Sequence, residues 1–146
     1  MSFSIHTPLI ESLPLSNICG TRVFAKMDAL QPSGSFKMRG IGFAAKHYAA
    51  QGAKRFISSS GGNAGLAVAY AGRALGLPVL VLVPETTPQR AIELLEQEKA
   101  DVIVHGTSWA DANALAQSKR TDTDAFFHPF DDPLLWEGHA SMIDEV

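Results

Sequence analysis

Two short stretches of this sequence carry residue types whose spacing suits chemistry. The first is Pro32-Ser33-Gly34-Ser35-Phe36-Lys37-Met38-Arg39-Gly40. A Pro-Ser-Gly turn ends a strand-like segment, and Ser35 stands where it can cap a helix whose first turn presents Phe36 and Lys37. An aromatic ring beside a lysine at such a corner suits an amine that must meet a planar electrophile. The generic alternative is a solvated lysine at a helix start. Against it, the positive end of a helix dipole offers a cation nothing. The second stretch is Ser58-Ser59-Ser60-Gly61-Gly62-Asn63-Ala64-Gly65. Adjacent glycines let backbone approach a ligand closely, and the free N–H groups of the following helix make an anion site. A carboxylate or a phosphate fits these donors equally well. An ordinary glycine-rich turn has the same composition, and the GxGxxG spacing of dinucleotide sites is not met.

These corners need elements to hold them. Residues 6–17 read as an irregular extended arm broken by Pro8 and Pro14, and residues 23–30 as a half-buried strand. Residues 38–51 read as a helix with Ile41, Ala44, Ala45 and Tyr48 on its apolar stripe and Gly52 as its stop. Strands are then expected at 55–58, 79–83, 101–105 and 125–128, with helices at 64–75, from Thr87-Pro88 to about 99, and at 108–119. That rhythm implies an α/β fold with a parallel sheet and flanking helices. Asp131 or Asp132 caps a last helix over 134–145, in which Leu135 and Ile143 are expected to face the core.

The 146 residues carry a net charge of −3 and are 46% hydrophobic, which indicates a globular chain with a sizeable core. Mild acidity without basic clusters argues against nucleic acid as a partner, and the longest apolar run, 79–83, is too short to span a bilayer. The single cysteine, Cys19, excludes an internal disulfide. With no signal-peptide pattern at the N-terminus, a cytoplasmic location is expected. His6, His47 and His105 lack metal-ligand spacing, so no metal site is expected. Glu93, Glu96, Glu98 and Lys99 read as the wet face of a helix.

The segment PSGSFKxRG resembles the lysine segment of the fold-type II pyridoxal-phosphate enzymes, the serine and threonine dehydratases above all. SSxGNAG, roughly two dozen residues later, is similar to the substrate-carboxylate loop of the same family. PFDDPLxWEGHAS, residues 129–141, resembles the eukaryotic-type L-serine dehydratases and argues against a serine racemase or cysteine synthase. The residues themselves give Glu137 and His139 a packing or interface role in preference to a catalytic one. The resemblance implies that Lys37 carries pyridoxal 5'-phosphate as a Schiff base, that Phe36 lies against the cofactor ring, and that Asn63 touches the cofactor's phenolic oxygen. It implies that Ser60, Gly61, Gly62, Asn63, Ala64 and Gly65 hold the substrate carboxylate. The activity implied is β-elimination of water from L-serine or L-threonine, with the Lys37 amine taking the α proton, to give pyruvate or 2-oxobutyrate plus ammonia. A non-catalytic amino-acid-binding fragment of the same fold is the competing class. The resemblance also divides the chain into 1–39, the start of a large domain, 40–129, a small α/β domain, and 130–146, a return to the large domain whose remainder has no match here. A homodimer, or the missing C-terminal half, is the expected partner.

Overall fold

A computed structural model describes residues 2–146. The chain opens with strand β1 (Leu9–Glu11), helix α1 (Leu13–Cys19) and strand β2 (Phe24–Lys26), β1 and β2 pairing antiparallel with Ile10 opposite Ala25. The expected irregular arm thus contains a helix. Pro14 lies in its first turn, where backbone N–H groups have no intrahelical acceptor and a proline removes nothing. The expected strand over 23–30 is cut short by a 3-10 turn, Asp28–Leu30. That turn brings Asp28 inward, where it is buried against an arginine.

Helix α2 (Lys37–Ala50) buries Met38, Ile41, Ala44 and Ala45 and ends at Gly52, as its stripe predicts. Ser35 does not cap it. The Ser35 hydroxyl is buried with no partner among the described residues, and the corner is closed instead by backbone bonds from Met38 and Arg39 to the Ser35 and Phe36 carbonyls. There follow β3 (Arg55–Ser58), α3 (Asn63–Leu75), β4 (Val79–Val83), α4 (Gln89–Gln97), β5 (Asp101–Val104), α5 (Trp109–Ser118), β6 (Asp124–Phe127) and α6 (Pro133–Asp144). At the start of α4 it is Pro88 that occupies the cap position, with no side-chain cap from Thr87. Ser108 and Asp111 form a reciprocal capping box on α5, and Asp132 caps α6 by accepting from the Leu134 amide at 2.8 Å.

β3 to β6 form one parallel sheet in the order β5-β4-β3-β6. All five residues of β4 are buried, because a strand inside a parallel sheet is covered on both faces and an unbroken apolar run is what such a position requires. Alternate side chains divide between two layers. Phe56, Val79, Val81 and Val83 pack with α2, α3 and α4, while Ile57, Leu80 and Leu82 pack with Ala112 and Ala116 of α5. Leu135 joins the first layer; Ile143, expected inward, is 68% exposed because α6 presents only one narrow face to α2. The expected division at residue 40 falls inside α2, and Met38, Ile41 and Leu135 belong to the same core as Phe56 and Val81.

Candidate active site

Lys37 is the first residue of α2 and is half-buried. Its Nζ donates to the Pro129 carbonyl at 2.7 Å. Pro129 lies just beyond β6, and β6 runs parallel to β3 with Phe127 opposite Ser58. The amine is therefore held at the carboxyl edge of the sheet. At this edge the strand order reverses: from β3 the chain steps outward to β4 and β5, then returns on the far side of β3 as β6. Open α/β sheets leave their ligand crevice at such a switch point. The loop from Ser59 to Gly62 leaves β3 at the same edge and leads directly into α3.

Burial lowers the Lys37 pKa from the ordinary lysine value. The hydrogen bond to Pro129 does not require a charge, since a neutral amine still has N–H to donate. The Lys37 Nζ lies 5.1 Å from the centre of the Phe36 ring, and that ring is 41% exposed. His139 of α6 meets the same ring, with centres 5.2 Å apart and planes at 49°.

In the glycine-rich loop the Gly62 amide donates to the Ser60 hydroxyl and the Ser60 amide to the Ser58 hydroxyl, both at 3.3 Å. Among the described residues, the amides of Asn63, Ala64 and Gly65 find no acceptor, although Ala64 and Gly65 are buried. The glycines differ in what they are for. A Cβ on Gly61 would meet Thr87 and Val83 at 2.8 and 3.1 Å, so its smallness serves packing, whereas Gly62 opens onto free space. A Cβ on Gly65 would lie 1.7 Å from the Ser60 carbonyl oxygen. Gly65→Ala is expected to lower stability by about 1–3 kcal/mol through overpacking, read as a shift in urea midpoint. An unchanged midpoint would show that the Ser60 carbonyl is free to move aside.

The structure brings Phe36, Lys37, Pro129 and His139 together and sets Ser60 to Gly65 on the same sheet edge. No hydrogen bond or ion pair joins Lys37 to residues 60–65 among the described residues. A cavity of about 730 Å³ between α2 and α6 includes neither group. No cluster of metal-ligating side chains occurs among the described residues.

Sequence reasoning missed Arg39. Its guanidinium is buried and bonds Asp28 through Nε and Nη2 at 2.7 and 2.9 Å, and Glu145 through Nη1 and Nη2 at 2.7 and 2.8 Å. Thr7 Oγ1 donates to Asp28 at 2.6 Å, and Lys26 Nζ pairs with Glu145 at 2.6 Å. The arm, the 3-10 turn, α2 and the end of α6 thus converge on the Arg39 guanidinium, two residues from Lys37, and Lys26 of β2 joins the network through Glu145. The available signal was a charge placed between Met38 and Ile41, two core residues of the same helix.

The family described as pyridoxal-phosphate dependent enzyme matches residues 3–146. The L-serine dehydratase of Dictyostelium discoideum is 48% identical, over 97% of this chain and 44% of its own length. The L-serine dehydratase/L-threonine deaminase of Homo sapiens is 49% identical, over 97% of this chain and 44% of its own. The crystal structure of a fungal L-serine ammonia-lyase from Rhizomucor miehei superposes with a TM-score of 0.94 at 31% identity, covering 99% of this chain and 47% of that one. The chain spans less than half the length of these relatives.

Proposed function

Because the chain belongs to the pyridoxal-phosphate dependent enzyme family, we propose that it carries the lysine-bearing part of an ammonia-lyase that removes water and ammonia from L-serine or L-threonine. The observation that carries this reading is the Lys37 amine, half-buried and held at the switch point of the sheet beside a partly bare aromatic ring. The serine and threonine dehydratase names of the relatives support the substrate class.

The residues present fit the cofactor. Lys37 offers an amine whose charge burial disfavours, Phe36 offers an open ring surface, and Asn63 stands at the head of α3. The buried hydroxyls of Ser33 and Ser35 beside the lysine find no partner among the described residues. In this reading Lys37, Phe36 and Asn63 hold pyridoxal 5'-phosphate. When bound, that group supplies an electron sink for the charge left by loss of an amino acid's α proton. The chain's own residues do the rest. The amides of Asn63, Ala64 and Gly65, with the Ser60 hydroxyl and the backbone of Gly61 and Gly62, bind and orient the substrate carboxylate at a helix N-terminus. Lys37 Nζ, whose charged form burial disfavours, takes the α proton. The products are pyruvate or 2-oxobutyrate and ammonia.

Adding pyridoxal phosphate to the full chain should give an absorption band that borohydride reduction removes while fixing the cofactor to the chain, and without reduction L-serine or L-threonine should release ammonia. A band that never forms would end the cofactor reading. A second reading, amino-acid binding without turnover, is favoured by the loop donors, which need no lysine. Under it Lys37→Ala would leave calorimetric binding of L-serine intact. The exposed lone Cys19 supports the proposal of a cytoplasmic location. Exposed Leu13, Ile18, Trp136 and Ile143 support the proposal that a second copy or a further half of the protein covers these elements.

A further inference from the structure

Two of the stretches singled out in the sequence meet in a way that neither reveals alone. The Arg39-Gly40 pair of α2 and the Gly138-His139 pair of α6 interlock where the helices cross. A Cβ on Gly138 would lie 2.6 Å from the Arg39 carbonyl oxygen and 2.7 Å from the Gly40 Cα. A Cβ on Gly40 would lie 2.6 Å from the Leu135 carbonyl oxygen and 2.7 Å from both Cε1 and Nε2 of His139. Each glycine therefore makes room for the other helix. The space opened at Gly40 is filled by the imidazole.

Gly40 is three residues after Lys37 and four after Phe36, so His139 sits over the helix face that starts at the lysine corner. The same imidazole reaches the Phe36 ring, at 5.2 Å between centres, within the range of favourable aromatic contact. Phe36 remains 41% exposed, so without His139 little would fix its tilt. Both ring nitrogens of His139 are buried and have no partner among the described residues. Burial first, then nearby Lys37 and Arg39, lower its pKa and keep the ring uncharged, which suits packing against an aromatic and a glycine.

We propose that His139 is a positioning residue of the site. Its imidazole, admitted by Gly40 and Gly138, braces the Phe36 ring beside Lys37, so that the ring presents a fixed surface to the cofactor. The assignment rests on the cofactor reading above for its consequence, but the brace itself can be measured without cofactor.

The experiment uses the full chain with 13C-labelled phenylalanine and compares His139→Ala, which removes the ring, with His139→Phe, which restores a flat ring without nitrogens. In unloaded protein the Phe36 ring resonances should move and average in His139→Ala and remain near their parent positions in His139→Phe. With pyridoxal phosphate added, His139→Ala should weaken cofactor binding about three- to tenfold, the range set by loss of one aromatic pair. It should also alter the circular dichroism of the bound cofactor. His139→Phe should keep both within about twofold, a margin well inside the worth of one aromatic pair. Phe36 resonances in His139→Ala identical to the parent would overturn the brace. So would a His139→Phe variant as impaired as His139→Ala, since the nitrogens and not the ring would then matter. Failure of the unsubstituted chain to bind pyridoxal phosphate refutes the cofactor reading alone, and the ring resonances still decide the brace. If His139→Ala fails to fold, His139→Phe alone decides it, through its Phe36 resonances.

Discussion

Lys37→Ala should lower ammonia release from L-serine by at least the ~10²–10⁴-fold that a positioned proton-transfer group contributes, and should abolish the borohydride-sensitive absorption. The expectation rests on one atom. Lys37 Nζ is the amine held at the carboxyl edge of the sheet, 2.7 Å from the Pro129 carbonyl and next to an exposed aromatic ring. Its exposed half lets a ligand reach it, and its buried half favours the neutral form that can take a proton. Stability should change little, because the lysine makes one hydrogen bond and leaves no charge behind when removed. That separates this variant from a folding defect: thermal melting should match the parent while turnover is lost. Lys37→Arg should be equally inactive, since a guanidinium stays protonated and cannot act as base. Turnover persisting in Lys37→Ala would move the chemistry to another residue.

Arg39→Leu should be strongly destabilising, costing about 3–5 kcal/mol, the usual consequence of stripping a partner from a buried ion pair. Asp28 and Glu145 would both lose a bidentate partner. The same network predicts an acid limit. Hydrogen bonds from Arg39, above all, hold the Asp28 carboxyl down at about 2, and Arg39 and Lys26 hold Glu145 well below the usual carboxylate range. Both values are depressed, so the stabilisation is fully present above the unfolded carboxylate range near pH 4. It is lost as pH falls from about 4 toward the folded values, about 2 for Asp28 and lower for Glu145. Asp28 alone accounts for about 2 kcal/mol of this. Denaturant midpoints of the parent should fall steeply across that window, and those of Arg39→Leu should fall less. Parallel slopes would show that other carboxylates, such as Asp124 beside Arg55, set the acid limit.

Which features were legible in the sequence follows from how local their causes are. Strands β3 and β4 match their expected bounds, because β-branched and leucine runs flanked by breakers have few alternatives. The cap at Asp132, one of two adjacent candidates, was legible because a cap is made within about one turn of chain. The failures fall where a distant partner overrides a local preference. Asp28 left its strand to meet Arg39, eleven residues on. Ser35 gave up the cap position at a corner closed by backbone bonds. Pro14 read as a breaker, yet in a first turn a proline costs nothing.

The alternation of strands and helices, the parallel sheet it implies, and the residue types at the two strand-to-helix corners were all legible in the order of the amino acids. Each of these depends on side chains within a few positions of one another. Folding in three dimensions set the strand order, because which strands become neighbours depends on crossovers spanning many residues. That order put β6 beside β3, and so brought the Pro129 carbonyl to the Lys37 amine across 92 positions of sequence. It also decided that Gly40 and Gly138 interlock and that His139 meets Phe36, because a helix crossing depends on the absence of two side chains on separate helices, which no local pattern records.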